Sequence, residues 1–152
     1  SGYNSFSKGK DDTIISIKFD EQIINILPLI CYEIIFPHLL ESKKKYFNFI
    51  INISEDAWFG DSIGPQQHFA KAIFRSIETG SFTLRSANKG ISAFISPEGK
   101  ILKTLKSNEF GNIEMNLPIS KSKNTNVNKY LIFTLLLIIY VITFIILKKL
   151  KL

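Results

Sequence analysis

Apolar residues run along this chain in two rhythms and then in one long stretch with no rhythm at all. Thr13 to Phe19 alternates and is rich in β-branched side chains, which predicts a half-buried strand. Asp20-Glu21 is a turn, and Gln22 to Cys31 is a second strand. Pro28 inside it marks an edge position or a bulge. Ile34 to Lys45 reads as a helix, with Pro37 tolerable in its first turn and lysines near its C-terminal end. Tyr46 to Ile53 is apolar on both faces, which predicts a central strand covered on both sides.

Ser54 to Gly64 breaks the pattern. It is a long loop carrying Trp58, Phe59 and the acids Glu55, Asp56 and Asp61, and exposed aromatic loops of this length usually serve function. Pro65 opens a helix that runs to Thr79 and stops at Gly80. Phe69, Ile73 and Ile77 recur every fourth residue and predict its buried stripe; His68 beside them reads as structural. Phe82 to Ala87 and Ile91 to Ser96 are strands joined by the hairpin turn Asn88-Lys89-Gly90. Pro97-Glu98-Gly99-Lys100 is a further turn, and Ile101 to Leu105 and Asn112 to Leu117 complete the predicted sheet.

Residues 118–129 form a polar linker. Tyr130 to Leu147 then carries no charge, and at helical rise spans roughly 27 Å, close to the hydrocarbon thickness of a bilayer. Tyr130 suits an interfacial position, and residues 148–152 are a short basic tail. The organisation predicted is one domain at 1–117, a linker, a membrane helix at 130–147 and the tail.

Net charge is +6 across 152 residues. The lysines are scattered or gathered beside the terminal apolar run, which fits a membrane surface better than nucleic acid. A nucleic-acid face would need clustered cations with interleaved aromatics, whereas the aromatics here lie in apolar runs. The chain does not begin with Met, and no signal peptide is visible.

Cys31 is the single cysteine, so no intramolecular disulfide and no Cys-based metal cluster are expected. It ends an apolar strand just before a helix start, a way of presenting a reactive atom at a sheet edge. On spacing alone a buried structural thiol is the favoured reading, since free cysteine is among the most buried residue types. A thiolate needs a nearby cation or base, and Glu33 is the only ionisable group in the local sequence; it could orient a neighbour without itself activating the sulfur.

Four stretches together resemble the apolipoprotein N-acyltransferase family. They are Ile30-Cys31-Tyr32-Glu33; Ser54 to Pro65 with Gln67-His68; Arg85 to Ala93; and Pro97 to Ile101. The run Asp56-Ala57-Trp58-Phe59-Gly60 with Gly64-Pro65 and His68 is far more specific than a bare Cys-x-Glu. The resemblance covers nearly the whole chain. It implies an α/β fold, the C-terminal half of a nitrilase-like αββα sandwich followed by one C-terminal transmembrane helix. It also implies a bacterial inner-membrane location, with the catalytic part periplasmic and the tail cytoplasmic. Cys31 becomes the nucleophile, accepting an acyl group from a phospholipid as a thioester that the α-amine of a diacylglyceryl apolipoprotein then opens. Tyr32 supplies a backbone oxyanion donor, Glu33 a supporting carboxylate, and Trp58 and Phe59 meet acyl chains at the mouth of the site. No cofactor and no metal are implied.

The chain departs from the family pattern at Glu55 and Lys89, where the family more often has Asn. The Glu and Lys of the family's Glu-Lys-Cys triad come from a part of the domain preceding this segment, so neither role is carried over. The isolated chain is therefore expected to be inactive or nearly so. A separately encoded N-terminal half is a possible partner. The competing expectations are an inactive membrane-anchored remnant and a membrane-tethered amidase of the nitrilase superfamily.

Overall fold

The computed structural model describes residues 14–41, 46–119 and 129–149. Thr13, the C-terminal end of the predicted first helix at 42–45 and residues 120–128 of the linker lie outside this range. So do residues 150–152 of the tail. Among the described residues, six strands form one mixed sheet in sequence order: β1 (Ile15–Phe19), β2 (Gln22–Ile30), β3 (Phe49–Glu55), β4 (Phe82–Asn88), β5 (Ser92–Ile95) and β6 (Ile101–Leu105). The β1–β2 hairpin is antiparallel, β2–β3 and β3–β4 are parallel, and β4–β5–β6 is an antiparallel meander.

The parallel pair β3–β4 requires a crossover, and α2 (Gly64–Thr79) provides it. That helix covers one sheet face. Leu27, Leu29 and Ile50 on β2 and β3, with Ala93 and Ile95 on β5, point into the same layer as Phe69 and Ala72 of α2. Alternate strand residues share a face, so these positions form the core by periodicity alone. Each fully buried aliphatic side chain there contributes about 1.5–3 kcal/mol.

Several expectations are corrected. The helix expected from Ile34 to Lys45 is broken. Cys31–Ile35 forms a tight 3₁₀ turn, and α1 is only His38–Glu41. Pro37 lacks an N–H and pushes Phe36 into extended backbone, so the two pieces cannot fuse. β3 is covered on one face rather than two. Ile50, Asn52 and Ser54 are buried, while Ile53 is 56% exposed, as is Ile30 beside it. The buried stripe of α2 runs through Pro65, His68, Phe69, Ala72, Arg75 and Ser76. Ile77 is largely exposed because it turns toward Gly99 at the β5–β6 turn instead of into the core. Residues 112–117 are irregular, not a strand. Only Ile113 and Leu117 in that stretch are even half-buried, so little apolar surface holds it against β6.

Pro28 lies in the interior strand β2, yet β1 pairs only with Gln22 to Ile26. On that side Pro28 has no ladder partner among the described residues, so its missing N–H costs nothing there. Beyond the sheet, α3 (Lys129–Lys149) is apolar and exposed from Leu131 onward, and it is long and apolar enough to cross a membrane by length and composition.

Candidate active site

Cys31 begins the turn that follows β2. Its backbone φ is +49°, a left-handed conformation that a non-glycine residue adopts only at a cost of roughly 1–3 kcal/mol. The sharp reversal leaves the side chain half-buried at the end of the strand. Its Sγ lies 3.9 Å from the Glu55 carbonyl oxygen and 3.7 Å from Ser54 Oγ. Glu33 closes the same turn: its Oε2 accepts the Ile30 N–H at 2.7 Å. Its carboxylate is thus a backbone brace, and the chain places it one turn from the sulfur.

Beneath the turn is a buried polar network that sequence reasoning missed. The Asn52 amide donates to the carbonyls of Leu29 at 2.9 Å and Cys31 at 3.3 Å, gripping the chain on both sides of the elbow. Asn52 Oδ1 accepts from Arg85 Nη1, its register partner across β3 and β4. Arg85 Nη2 donates to Asp56 Oδ2 at 2.7 Å, and Nε donates to the Ile91 carbonyl at 3.2 Å. The other carboxylate oxygen of Asp56 accepts from Ser54 Oγ at 2.7 Å and from His68 Nδ1 at 2.9 Å. Both side chains of the Asp56–Arg85 pair are wholly removed from solvent.

Burial by itself would raise the Asp56 pKa. The hydrogen bonds of His68 and Ser54, with the charge and hydrogen bond of Arg85, outweigh it and hold the carboxyl below its ordinary value. Burial pulls the Arg85 guanidinium below its usual range, against the opposing pull of Asp56 and, more weakly, Cys31. Among the described residues, Arg85 is thus a cation that feels the charge of the sulfur.

His68 is buried, in keeping with a structural role, but it is not isolated. The rings of Tyr32 and Phe59 flank its imidazole, each with centroids 5.7 Å away. With Nδ1 carrying the hydrogen given to Asp56, Nε2 has no partner among the described residues. Tyr32 and Phe59 are thus brought together on one imidazole. Trp58 is not: it is 86% exposed and lines an open depression of about 430 Å³ with Glu55, Ala57, Asn88 and Lys89. Glu55 ties this rim together, accepting from the Ala57 N–H at 2.9 Å and from Asn88 Nδ2 at 2.6 Å. No group of His, Cys, Asp and Glu side chains among the described residues is arranged to hold a metal ion.

The missed residues did carry a signal. Asn52, Ser54 and Asp56 alternate, so an otherwise apolar strand has one polar edge on a single face. Arg85 likewise interrupts an apolar strand.

A carbon-nitrogen hydrolase family model matches residues 4–125. The chain belongs to that family. Its curated relatives include proteins named apolipoprotein N-acyltransferase. The one from Rickettsia bellii is 37% identical over 93% of this chain and 28% of the relative. The one from Allorhizobium ampelinum is 40% identical over 81% of this chain and 23% of the relative. That from Wigglesworthia glossinidia brevipalpis is 51% identical over 51% of this chain and 16% of the relative. The chain thus spans about a quarter or less of the length of these relatives. Among solved structures, an amidase from Nesterenkonia sp. matches with a TM-score of 0.50 at 17% identity, covering 68% of this chain and 41% of that one. This likeness shows the carbon-nitrogen hydrolase fold.

Proposed function

We propose that this chain carries the nucleophile-bearing part of an N-acyltransferase that matures lipoproteins. The sulfur of Cys31, as thiolate, attacks the ester carbonyl of a phospholipid, and the lysophospholipid leaves with the proton. The resulting thioester is opened by the α-amine of a diacylglyceryl apolipoprotein, which forms the amide and returns the thiol. Tyr32 contributes its backbone N–H, a first-turn donor, to the oxyanion. Glu33 supports the step indirectly, by bracing Ile30 and so the elbow. Trp58 and Phe59 form the lipid-facing mouth, and α3 anchors the domain in the bacterial inner membrane with the catalytic part periplasmic and the tail cytoplasmic. Acyl transfer requires the complementary Glu and Lys, supplied by an N-terminal half.

What supports this reading most is the seat of Cys31. The thiol is half-buried and held in a left-handed turn at a strand end, with Phe59 of the Trp58 loop sharing the His68 imidazole with Tyr32 of that turn, in a chain whose curated relatives bear this name. The decisive experiment supplies the preceding half of a relative in trans, with labelled phospholipid and a diacylglyceryl lipopeptide. A hydroxylamine-labile acyl label on Cys31, lost in Cys31→Ala, is expected. Cys31-dependent hydrolysis of a soluble amide in the absence of lipid would instead favour an amidase. Transfer unchanged by Cys31→Ala would sink the proposal.

A further inference from the structure

We propose that Asp56 and Arg85 are a positioning pair for the thiol: through Asn52 they hold the Cys31 backbone in its left-handed turn, and through Ser54 they set the charge beside its sulfur. This deepens the acyl-transfer reading and rests on it for its catalytic meaning, although the arrangement is visible without it. Asn52 can grip both Leu29 and Cys31 with its amide only if its oxygen faces away, and Arg85 Nη1 fixes that orientation. Ser54 has one hydrogen, which goes to Asp56 at 2.7 Å, so its lone pairs are left to face Sγ. The sulfur therefore sees the carboxylate through a hydroxyl, while the guanidinium reaches the Cys31 backbone carbonyl through an amide.

A pair buried this completely supplies little net stability, because desolvation cancels most of its attraction. Its location directly under a strained nucleophile turn points to what it does. The ionisable groups on the elements around that turn are Tyr32 and Glu33 on the turn itself, Glu55 and Asp56 at the end of β3, His68, Lys71, Arg75 and Glu78 on α2, and Arg85 on β4. Of these, Asp56 and Arg85 are the opposite charges wholly removed from solvent, whereas the Arg75–Glu78 pair is partly exposed at Glu78.

Cys31 is the only cysteine in the 152 residues, so alkylation by iodoacetamide reports on it alone. The full chain in detergent is alkylated across a range of pH, with the sheet checked by circular dichroism. Asp56→Asn leaves the arginine uncompensated and is expected to move the midpoint to lower pH, raising the rate at neutral pH about threefold or more. Arg85→Gln is expected to move it upward, and Arg85→Lys, which keeps the charge, to restore it. Ser54→Ala removes the acceptor facing the S–H and is expected to lower the midpoint by less; it decides the matter if the ion-pair variants do not fold. A pair with a purely structural role shifts the unfolding midpoint and leaves the alkylation midpoint of every folded variant at its original pH, and that result overturns the proposal. Shifted alkylation without acyl transfer in the complemented enzyme would sink the functional reading and leave the pair's role standing.

Discussion

Gly90 faces the carboxylate of Asp56 with no space between them for a side chain. A β-carbon at Gly90 would collide with Oδ2, the oxygen that accepts from Arg85. The β4–β5 hairpin thus closes under the buried network, and the Asp56 N–H is bonded to the Asn88 carbonyl at 2.9 Å in the same place. Gly90→Ala is expected to cost about 3 kcal/mol, since either the hairpin lifts or the carboxylate leaves its partners. Urea unfolding of the detergent-solubilised chain measures it, and an unchanged midpoint would show that the carboxylate has somewhere else to go.

The same carboxylate gives the fold a pH dependence. Its folded pKa lies below the ordinary value of 3.8, so the unfolded chain binds the proton more readily. Stability from this group is therefore fully present above that ordinary value and is lost as pH falls through the lower folded one. Asp56→Asn should flatten the acid limb of the stability–pH curve while lowering stability at neutral pH. Unfolding midpoints compared between about pH 5 and about pH 3 test this against the unsubstituted chain.

Ile34 has no exposed surface and lies in the turn that Cys31 begins. Ile34→Ala should cost about 2–5 kcal/mol through the cavity left under the turn. It should also loosen the elbow, so the Cys31 and Tyr32 amides are expected to exchange hydrogen faster than the β3 amides. Equal protection in both places would separate the core from the elbow.

Trp58 offers the opposite case. Being 86% exposed, it should tolerate Trp58→Ala with a stability change within about 0.5 kcal/mol. In the complemented enzyme the same change is expected to raise KM for the phospholipid donor several-fold, because the apolar rim is lost. An unaltered KM would assign the ring to some other surface.

How much was legible in advance varies by element. β4, the β4–β5 hairpin and α2 follow their sequence signals closely, since alternation, turn residues and the Pro65 and Gly80 boundaries are all local. The first helix failed at Pro37, where a pattern compatible with a helix met a backbone that could not continue one. The expected α2 stripe packs into the core at Phe69 and Ile73 but not at Ile77, which looks like core, while Arg75 and Ser76 look like surface and are buried. In the fold Ser76 gives its hydroxyl hydrogen to Thr83 of β4 at 2.7 Å, and Arg75 pairs with Glu78. A polar residue that finds a buried partner cannot be told from a solvated one by periodicity.

By itself the sequence determined the strand and helix rhythm, the place of the single thiol at a strand end and the apolar terminal helix, because each depends on neighbours a few residues apart. Tertiary structure alone decided what surrounds that thiol. Asn52 and Arg85 are 33 positions apart, and they meet only because parallel pairing of β3 and β4 sets them in register. Side-chain charge acts across space, so the surroundings of Cys31 were decided by strand register and by a helix folded over it.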